Sequence, residues 1–244
     1  MIELIRVDKQ YPISNALMYV NDITINKGEV VGILGENGSG KTTLLKAIMG
    51  MGEVRDREVR IDGKPAAEQY ARMAFMTEEG SFLPNLTPPK YAEFLAEFFP
   101  RFDRPYYDEL LRAYELPANR RIRTFSKGQK MKLELCAGLA KKADYLIMDE
   151  PFVGKDIFSR HDSIKRIIEG LTGNETVLMT THLIDEIENV IDRAIILHKG
   201  LIRADVYMDE IREQGLSLAD AMLNARSTSM ADPARRIRWP NSSY

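Results

Sequence analysis

The chain opens on an alternation of apolar and polar positions. In IELIRV, residues 2–7, apolar side chains recur at nearly every second place, the period of a half-buried strand. LMYVNDITI (17–25) and EVVGIL (29–34) are further short runs carrying β-branched residues, broken by polar turns such as NKGE. TTLLKAIM (42–49) predicts a helix, REVRIDG a strand ending in a turn, and RMAFM a short apolar strand. After the proline-marked loop SFLPNLTPP the period changes. Tyr91, Phe94, Leu95, Phe98 and Phe102 fall at helical spacing, and residues 90–116 are predicted helical. Ser126 to about Lys142 predicts another helix. YLIMDEP reads as a buried strand ending in acids, 156–170 as a helix, TVLMTTH as a strand, LIDEIENVI as a helix and RAIILHKG as a strand. Strands alternating with helices imply βαβ units and a mainly parallel sheet.

Past about residue 215 the pattern weakens. LADAMLNA predicts one short helix. RSTSMADPARRIRWPNSSY, with two prolines and clustered arginines, reads as a frayed tail or as a basic hook carrying a tryptophan toward a partner or membrane surface. Composition narrows the class. A chain of 244 residues, 44% hydrophobic and 29% charged, fits a soluble globular protein whose core needs no staple. A formal net charge of -2 gives no global drive toward nucleic acid. The single cysteine, Cys136, excludes an intrachain disulfide and suits a reducing compartment. MIELIRVDKQ lacks the apolar core of a signal peptide, and no apolar run approaches the ~20 residues that span a bilayer. Any membrane span is expected from another chain.

Candidate chemistry begins at GENGSGKT, residues 35–42, which fits G-x-x-x-x-G-K-[ST] with Gly35, Gly40, Lys41 and Thr42 in the fixed places. An apolar strand precedes it and a helix follows. Glycines let backbone N–H groups turn inward on an anion, and the helix aims its positive end at the same point. Lys41 is expected to reach the β- and γ-phosphates, and the Thr42 hydroxyl to ligate Mg²⁺. A second signal is YLIMDE. A buried strand ending in two acids is costly unless they have partners. Asp149 is expected to hold Mg²⁺ or its water shell, and Glu150 to act as general base on an attacking water.

FSKGQ, residues 125–129, separates this chain from other phosphate-loop proteins. Here the sequence resembles the ATP-binding subunits of ABC transporters, whose signature reads close to LSGGQ. The resemblance runs from about Met1 to about Met208. It is carried by the order Tyr11, GENGSGKT, FSKGQ, YLIMDEP, VGKD and TTH. Independently of it, Ser126-x-x-Gln129 is a capping-box pattern, with Ser126 at the N-cap and Gly128 in the first turn.

The resemblance implies a P-loop NTPase of the RecA-like kind. Its α/β core would be a mainly parallel sheet, with an N-terminal antiparallel β subdomain and an α-helical subdomain. The ATP-binding domain would span 1–212, its helical subdomain about 79–137, and a C-terminal extension 213–244. ATP with Mg²⁺ would bind on Gly35, Asn37, Gly38, Ser39, Gly40, Lys41, Thr42 and Thr43. Adenine would stack on Tyr11, with Tyr19 as competitor. Ser126, Gly128 and Gln129 would close on the γ-phosphate held by a second, head-to-tail subunit, and Asp156 would belong to the loop that links the two subunits across the dimer. His182 would order the attacking water. The implied partners are a second copy of the subunit and a separate membrane permease at the inner face of the cell membrane, with no nucleic acid. The sequence context is most like bacterial exporter subunits for drugs or peptides. A soluble assembly ATPase is the alternative.

Three positions depart from the family's pattern. Glu78 stands where a metal-reaching glutamine is usual, with Glu79 one place on. Lys127 replaces a glycine, and Lys155 an apolar residue. The helical segment between Glu78 and Ser126 would receive the permease, and Phe99 is expected to be its exposed aromatic.

Overall fold

β1 (Ile2–Gln10) buries Ile2, Leu4 and Val7. The alternation slips by one residue because the strand is irregular between Leu4 and Arg6, where it pairs with β4 (Asp56–Ile61). An extra residue there turns Val7, and not Arg6, to the core. The computed structural model describes residues 1–10, 17–52, 54–77, 80–151 and 157–227. They fall into two compact units, Met1–Ala67 with Thr176–Tyr244, and Glu68–Glu175.

In the first unit β1 also pairs antiparallel with β2 (Leu17–Ile25). β3 (Val30–Leu34) lies parallel between β7 (Thr176–Thr181) and β8 (Arg193–His198). A strand with parallel neighbours on both sides is covered on both faces, which is why VVGIL shows no polar alternation. β9 (Leu201–Tyr207) runs antiparallel to β8 and meets β2 at Tyr19 and Leu201. The strand order is β4-β1-β2-β9-β8-β3-β7. β9 had no counterpart among the predicted elements. Its buried Ile202, Ala204 and Val206 do alternate, but Arg203 and Asp205 break the apolar look of the run. Asp205 is there for Arg193, which forks onto it at 2.7 and 2.8 Å and reaches the Thr24 carbonyl at 2.7 Å. A bidentate pair of this kind satisfies two charges that the strand interior would otherwise reject.

The helices of this unit are α1 (Lys41–Ile48), α6 (Ile184–Ile187), α7 (Met208–Glu213) and α8 (Leu218–Ser227). α6 is shorter than the predicted 183–191. The Val190 N–H bonds the Ile187 carbonyl at 2.8 Å, an i to i−3 closure that tightens the chain out of α-geometry.

In the second unit β5 (Met73–Met76) and β6 (Tyr145–Asp149) run parallel and in register from Met73 and Tyr145 to Met76 and Met148. The predicted helix over 90–116 is two helices, α2 (Pro88–Phe98) and α3 (Arg104–Ala113). Asp103 starts the second by accepting the Tyr106 N–H at 3.0 Å, and Pro105 sits in its first turn, where a missing N–H costs nothing. The aromatic stripe splits accordingly. Tyr91 and Leu95 are buried, but Phe98 is 57% exposed. Phe99, expected to be the exposed aromatic, is half-buried with the Lys141 ammonium 4.5 Å from its ring centre. α4 (Lys127–Ala140) carries a buried run from Leu133 to Ala140, and α5 (Ile157–Gly170) follows β6. Among the described residues no helix is long and apolar enough to cross a membrane.

Candidate functional site

β3 ends at Leu34, and the chain reaches α1 through a loop that only glycine could line. A Cβ on Gly35 would collide with the Leu197 carbonyl and with the Ser39 hydroxyl. Gly38 and Gly40 take φ of 80° and 108°, the left-handed region that side-chain-bearing residues avoid. Gly40 is the N-cap of α1, and no side chain caps it. The first-turn N–H groups of a helix have no intrahelical partners, and the helix adds partial positive charge there. The Lys41 ammonium folds back over this loop, donating to the carbonyls of Gly35 at 2.8 Å and Glu36 at 3.2 Å. The Ser39 hydroxyl is buried with no hydrogen-bond partner. A closed glycine cradle, an orphaned buried hydroxyl and a buried ammonium together fit a phosphate chain. Thr42 is exposed on the first turn of α1, with Asn37 on the loop and Thr43 half-buried behind it.

The same unit brings His182 to that loop's end of the sheet. Leu34 and Thr181 are partners in the parallel pair of β3 and β7, so residues 35 and 182 leave neighbouring strands at the same, C-terminal edge. That edge is where ligands of α/β sheets gather. The Thr181 hydroxyl accepts the Leu183 N–H at 3.0 Å and turns the chain, and His182 is exposed.

In the second unit β6 is buried along its whole length, and Asp149 at its end is 8% exposed. Glu150 follows with φ of 47°, partly exposed. A left-handed glutamate costs roughly 1–2 kcal/mol, and such strain persists where the surroundings fix the side chain's aim. Asp149 and Glu150 border a cavity of about 20 Å³, enough for a water, with Met76, Thr77, Met131 and Glu134 among its other walls. Glu134 was not singled out by the sequence reading. Its signal was present as a lone acid in the apolar run LELCAGLA.

Ser126 caps α4 as the spacing predicts. Its hydroxyl accepts the Gln129 N–H at 3.2 Å, while the Gln129 side-chain oxygen accepts the Ser126 N–H at 3.0 Å. Ser126, Lys127 and Gly128 are exposed, and nothing lies within 4 Å of where a Gly128 Cβ would stand. Tyr11, Glu78, Glu79, Lys155, Asp156 and the tail from residue 228 lie outside the described residues. Tyr19, the competitor for Tyr11, is 38% exposed on β2.

The donor set for a cation is modest. Among the described residues no three of His, Cys, Asp and Glu stand together as a metal cage. Mg²⁺ keeps several waters and takes one or two protein oxygens beside phosphate, and the Thr42 hydroxyl in the first unit and, separately, the Asp149 carboxylate in the second are each donors of the kind it takes.

Comparison with known proteins decides the family. The family model described as "ABC transporter" matches residues 20–153. The ABC transporter ATP-binding protein YtrB of Bacillus subtilis is 30% identical over 224 residues, covering 89% of this chain and 76% of that protein. This chain belongs to the ABC transporter family. Within it the chain is an ATP-binding ATPase domain of the P-loop α/β kind. The bacitracin transport ATP-binding protein BcrA of Bacillus licheniformis is 25% identical, covering 94% of this chain and 77% of that protein. A solved ATP-binding subunit of an ABC transporter superposes with a TM-score of 0.80 at 26% identity, over 93% of this chain and 99% of that one.

Proposed function

We propose that this ABC ATP-binding subunit hydrolyses ATP to drive a separate membrane permease that exports a drug or peptide. Hydrolysis rests chiefly on one observation: a buried strand delivers Asp149 and a strained Glu150 to the rim of a water-sized cavity. BcrA's name, a bacitracin transport protein, supports the export reading.

On this reading the loop from Gly35 to Thr43 wraps the β- and γ-phosphates with backbone N–H groups, and Tyr11 stacks on adenine. Lys41 leaves the carbonyls of Gly35 and Glu36 for phosphate oxygens. Thr42, Asp149 and Glu78 supply oxygen donors toward Mg²⁺ and its waters. The bound cation would neutralise charge on the phosphates. Glu150 takes the proton of the attacking water as it approaches phosphorus, and His182 hydrogen-bonds that water or the γ-phosphate. The transition state spreads charge over phosphoryl oxygens, so fixed donors such as Lys41 and the loop amides provide most of the rate. Ser126, Gly128 and Gln129 of a second copy, with its Asp156, complete each site. Closure of the pair moves the helical segment that holds the permease, where Phe98 packs at a tilt against Phe94, 4.9 Å between ring centres, and stays exposed.

Two measurements test this. Glu150→Gln should retain ATP binding and lose at least ~100-fold in turnover. Undiminished turnover would remove Glu150 from the chemistry. The tagged protein, purified in mild detergent and analysed by mass spectrometry, should carry an integral membrane protein at near-equal stoichiometry. A soluble partner in its place would move the reading to an assembly ATPase.

A further inference from the structure

Helix α4 begins with the signature and ends deep in the second unit, and between them it buries a carboxylate that the chemistry above leaves without a task. Glu134 is 5% exposed, surrounded on its own helix by Leu133, Leu135 and Cys136, all buried. Its Oε1 accepts the Ser81 hydroxyl at 3.1 Å and its Oε2 the Ser81 backbone N–H at 3.3 Å. Thr77 lines the same cavity as Glu134. Thr77 follows the last residue of β5, and Ser81 is the first described residue past Gly80 on the way to α2. The Gly80 N–H donates to both the Thr77 carbonyl and its hydroxyl at 3.1 Å, so Thr77 and Gly80 are themselves tied.

We propose that Glu134 is a positioning residue for ATP hydrolysis: from the wall of the cavity that Asp149 and Glu150 border, it holds Ser81, and through the Gly80–Thr77 turn the end of β5, to the signature helix. The proposal rests on the functional reading above, in which Asp149 and Glu150 do their work at that cavity. The geometry favours a clamp over a chance burial. An isolated carboxylate in an apolar helix face is disfavoured by several kcal/mol unless donors satisfy it, and here the donors all come from one loop. Glu134 also walls the cavity shared with Asp149 and Glu150. Among the described residues the cation that acts on it is Lys141, the buried C-cap of the same helix. Burial pushes the Glu134 carboxyl up and the Lys141 ammonium down, each opposed by the other's charge. The groups facing Glu134 are then Lys141 on α4, Ser81 and Thr77 on the loop, Tyr91 on α2, and Asp149 and Glu150 at the end of β6. The signature helix and the loop that follows β5 are thereby fastened to one another inside a single unit.

The test uses the full chain and three variants. Glu134→Leu fills the space and accepts nothing. Glu134→Gln keeps an acceptor for the Ser81 N–H and turns its amide toward the Ser81 hydroxyl, which can accept. Ser81→Ala removes one donor only. Hydrogen exchange of the Thr77–Ser81 peptide, read without nucleotide, should quicken at least tenfold in Glu134→Leu and stay near wild type in Glu134→Gln, a tenfold change corresponding to about 1.4 kcal/mol of local opening. Steady-state kinetics should show kcat lowered roughly tenfold in Glu134→Leu with KM for ATP little changed, since misplacement of a positioning group acts on the reacting geometry. Glu134→Gln should recover most of kcat, and Ser81→Ala should fall between. Unchanged exchange across Thr77–Ser81 in Glu134→Leu overturns the clamp. Quickened exchange with kcat intact keeps the clamp and overturns its role in hydrolysis. If Glu134→Leu does not fold, Ser81→Ala and Glu134→Gln decide: equal loss of kcat in both overturns the proposal. A wild-type chain without turnover sinks the ATPase reading itself, and the exchange measurement still judges the clamp.

Discussion

Two helices of this molecule start next to glycine-rich sequence, and they start in opposite ways. α1 opens on Gly40, a left-handed residue with no side chain to cap it. α4 opens on Ser126 with both hydrogen bonds of a capping box in place. The first helix therefore has no cap from its own N-cap side chain. The second has already satisfied part of its own demand. A ligand at α1 meets a glycine start with no side-chain cap, whereas a ligand at α4 meets a finished cap. Ser126 can still serve it, because a hydroxyl that accepts the Gln129 N–H keeps its own proton to donate. The difference suits a loop that holds nucleotide throughout and a signature that touches it only when a second subunit closes.

The sharpest way to break this comparison is a methyl group at each start. Gly35→Ala drives a Cβ into the Leu197 carbonyl and the Ser39 hydroxyl, both fixed. ATP affinity should fall at least ~100-fold by equilibrium dialysis, because the backbone must move where the phosphates lie. Gly128→Ala meets open space in a helical first turn. Its thermal stability should hold or rise by up to ~1 kcal/mol, as alanine is the better helix former. Turnover should nevertheless drop. Stability and activity moving in opposite directions would mean that the methyl clashes with something outside this chain's own contacts. Unchanged turnover would say that nothing approaches Gly128.

Ser126 separates capping from contact. Ser126→Ala should cost ~1 kcal/mol by thermal denaturation. Ser126→Asp should restore the stability, since aspartate caps as well as serine, yet leave turnover reduced at least ~10-fold because a carboxylate repels phosphate. Turnover that follows stability in both variants would reduce Ser126 to a cap.

How much of this was legible beforehand follows the same division. The glycine loop, the cap and the ends of β6 and β7 are local features, set by residues a few places apart, and the spacing of GENGSGKT, Ser126 with Gln129, Asp149 and His182 carried them. What escaped depends on distant partners. β9 was hidden because Asp205 looks like a loop residue until Arg193, on the neighbouring strand, forks onto it. Glu134 was passed over because nothing near it in sequence tells that Ser81, 53 residues away, supplies its donors. The exposed aromatic was misplaced by one residue, Phe98 for Phe99, because α2 ends there and the continuous helical stripe that ranked them does not exist. The left-handed Glu150 has no signature in sequence at all.

The smallest effect is expected at Lys127, the family's missing signature glycine. It is the first residue of α4 and exposed, and its side chain leaves the helix beside the capping box without being part of it. A cation there acts against the helix's own positive end, at a cost of a few tenths of a kcal/mol when solvated. It also adds attraction for a phosphate arriving from a second subunit, and solvent and salt weaken that attraction too. The two influences oppose one another and both are small. Lys127→Gly additionally gives up helix propensity at the first turn, where that propensity counts least. Turnover and ATP affinity should therefore shift by no more than about threefold, with a dependence on salt concentration flatter than the wild type's. A complete loss of activity would show that Lys127 touches the nucleotide, and the capped helix would then belong with the uncapped one as a primary binding start.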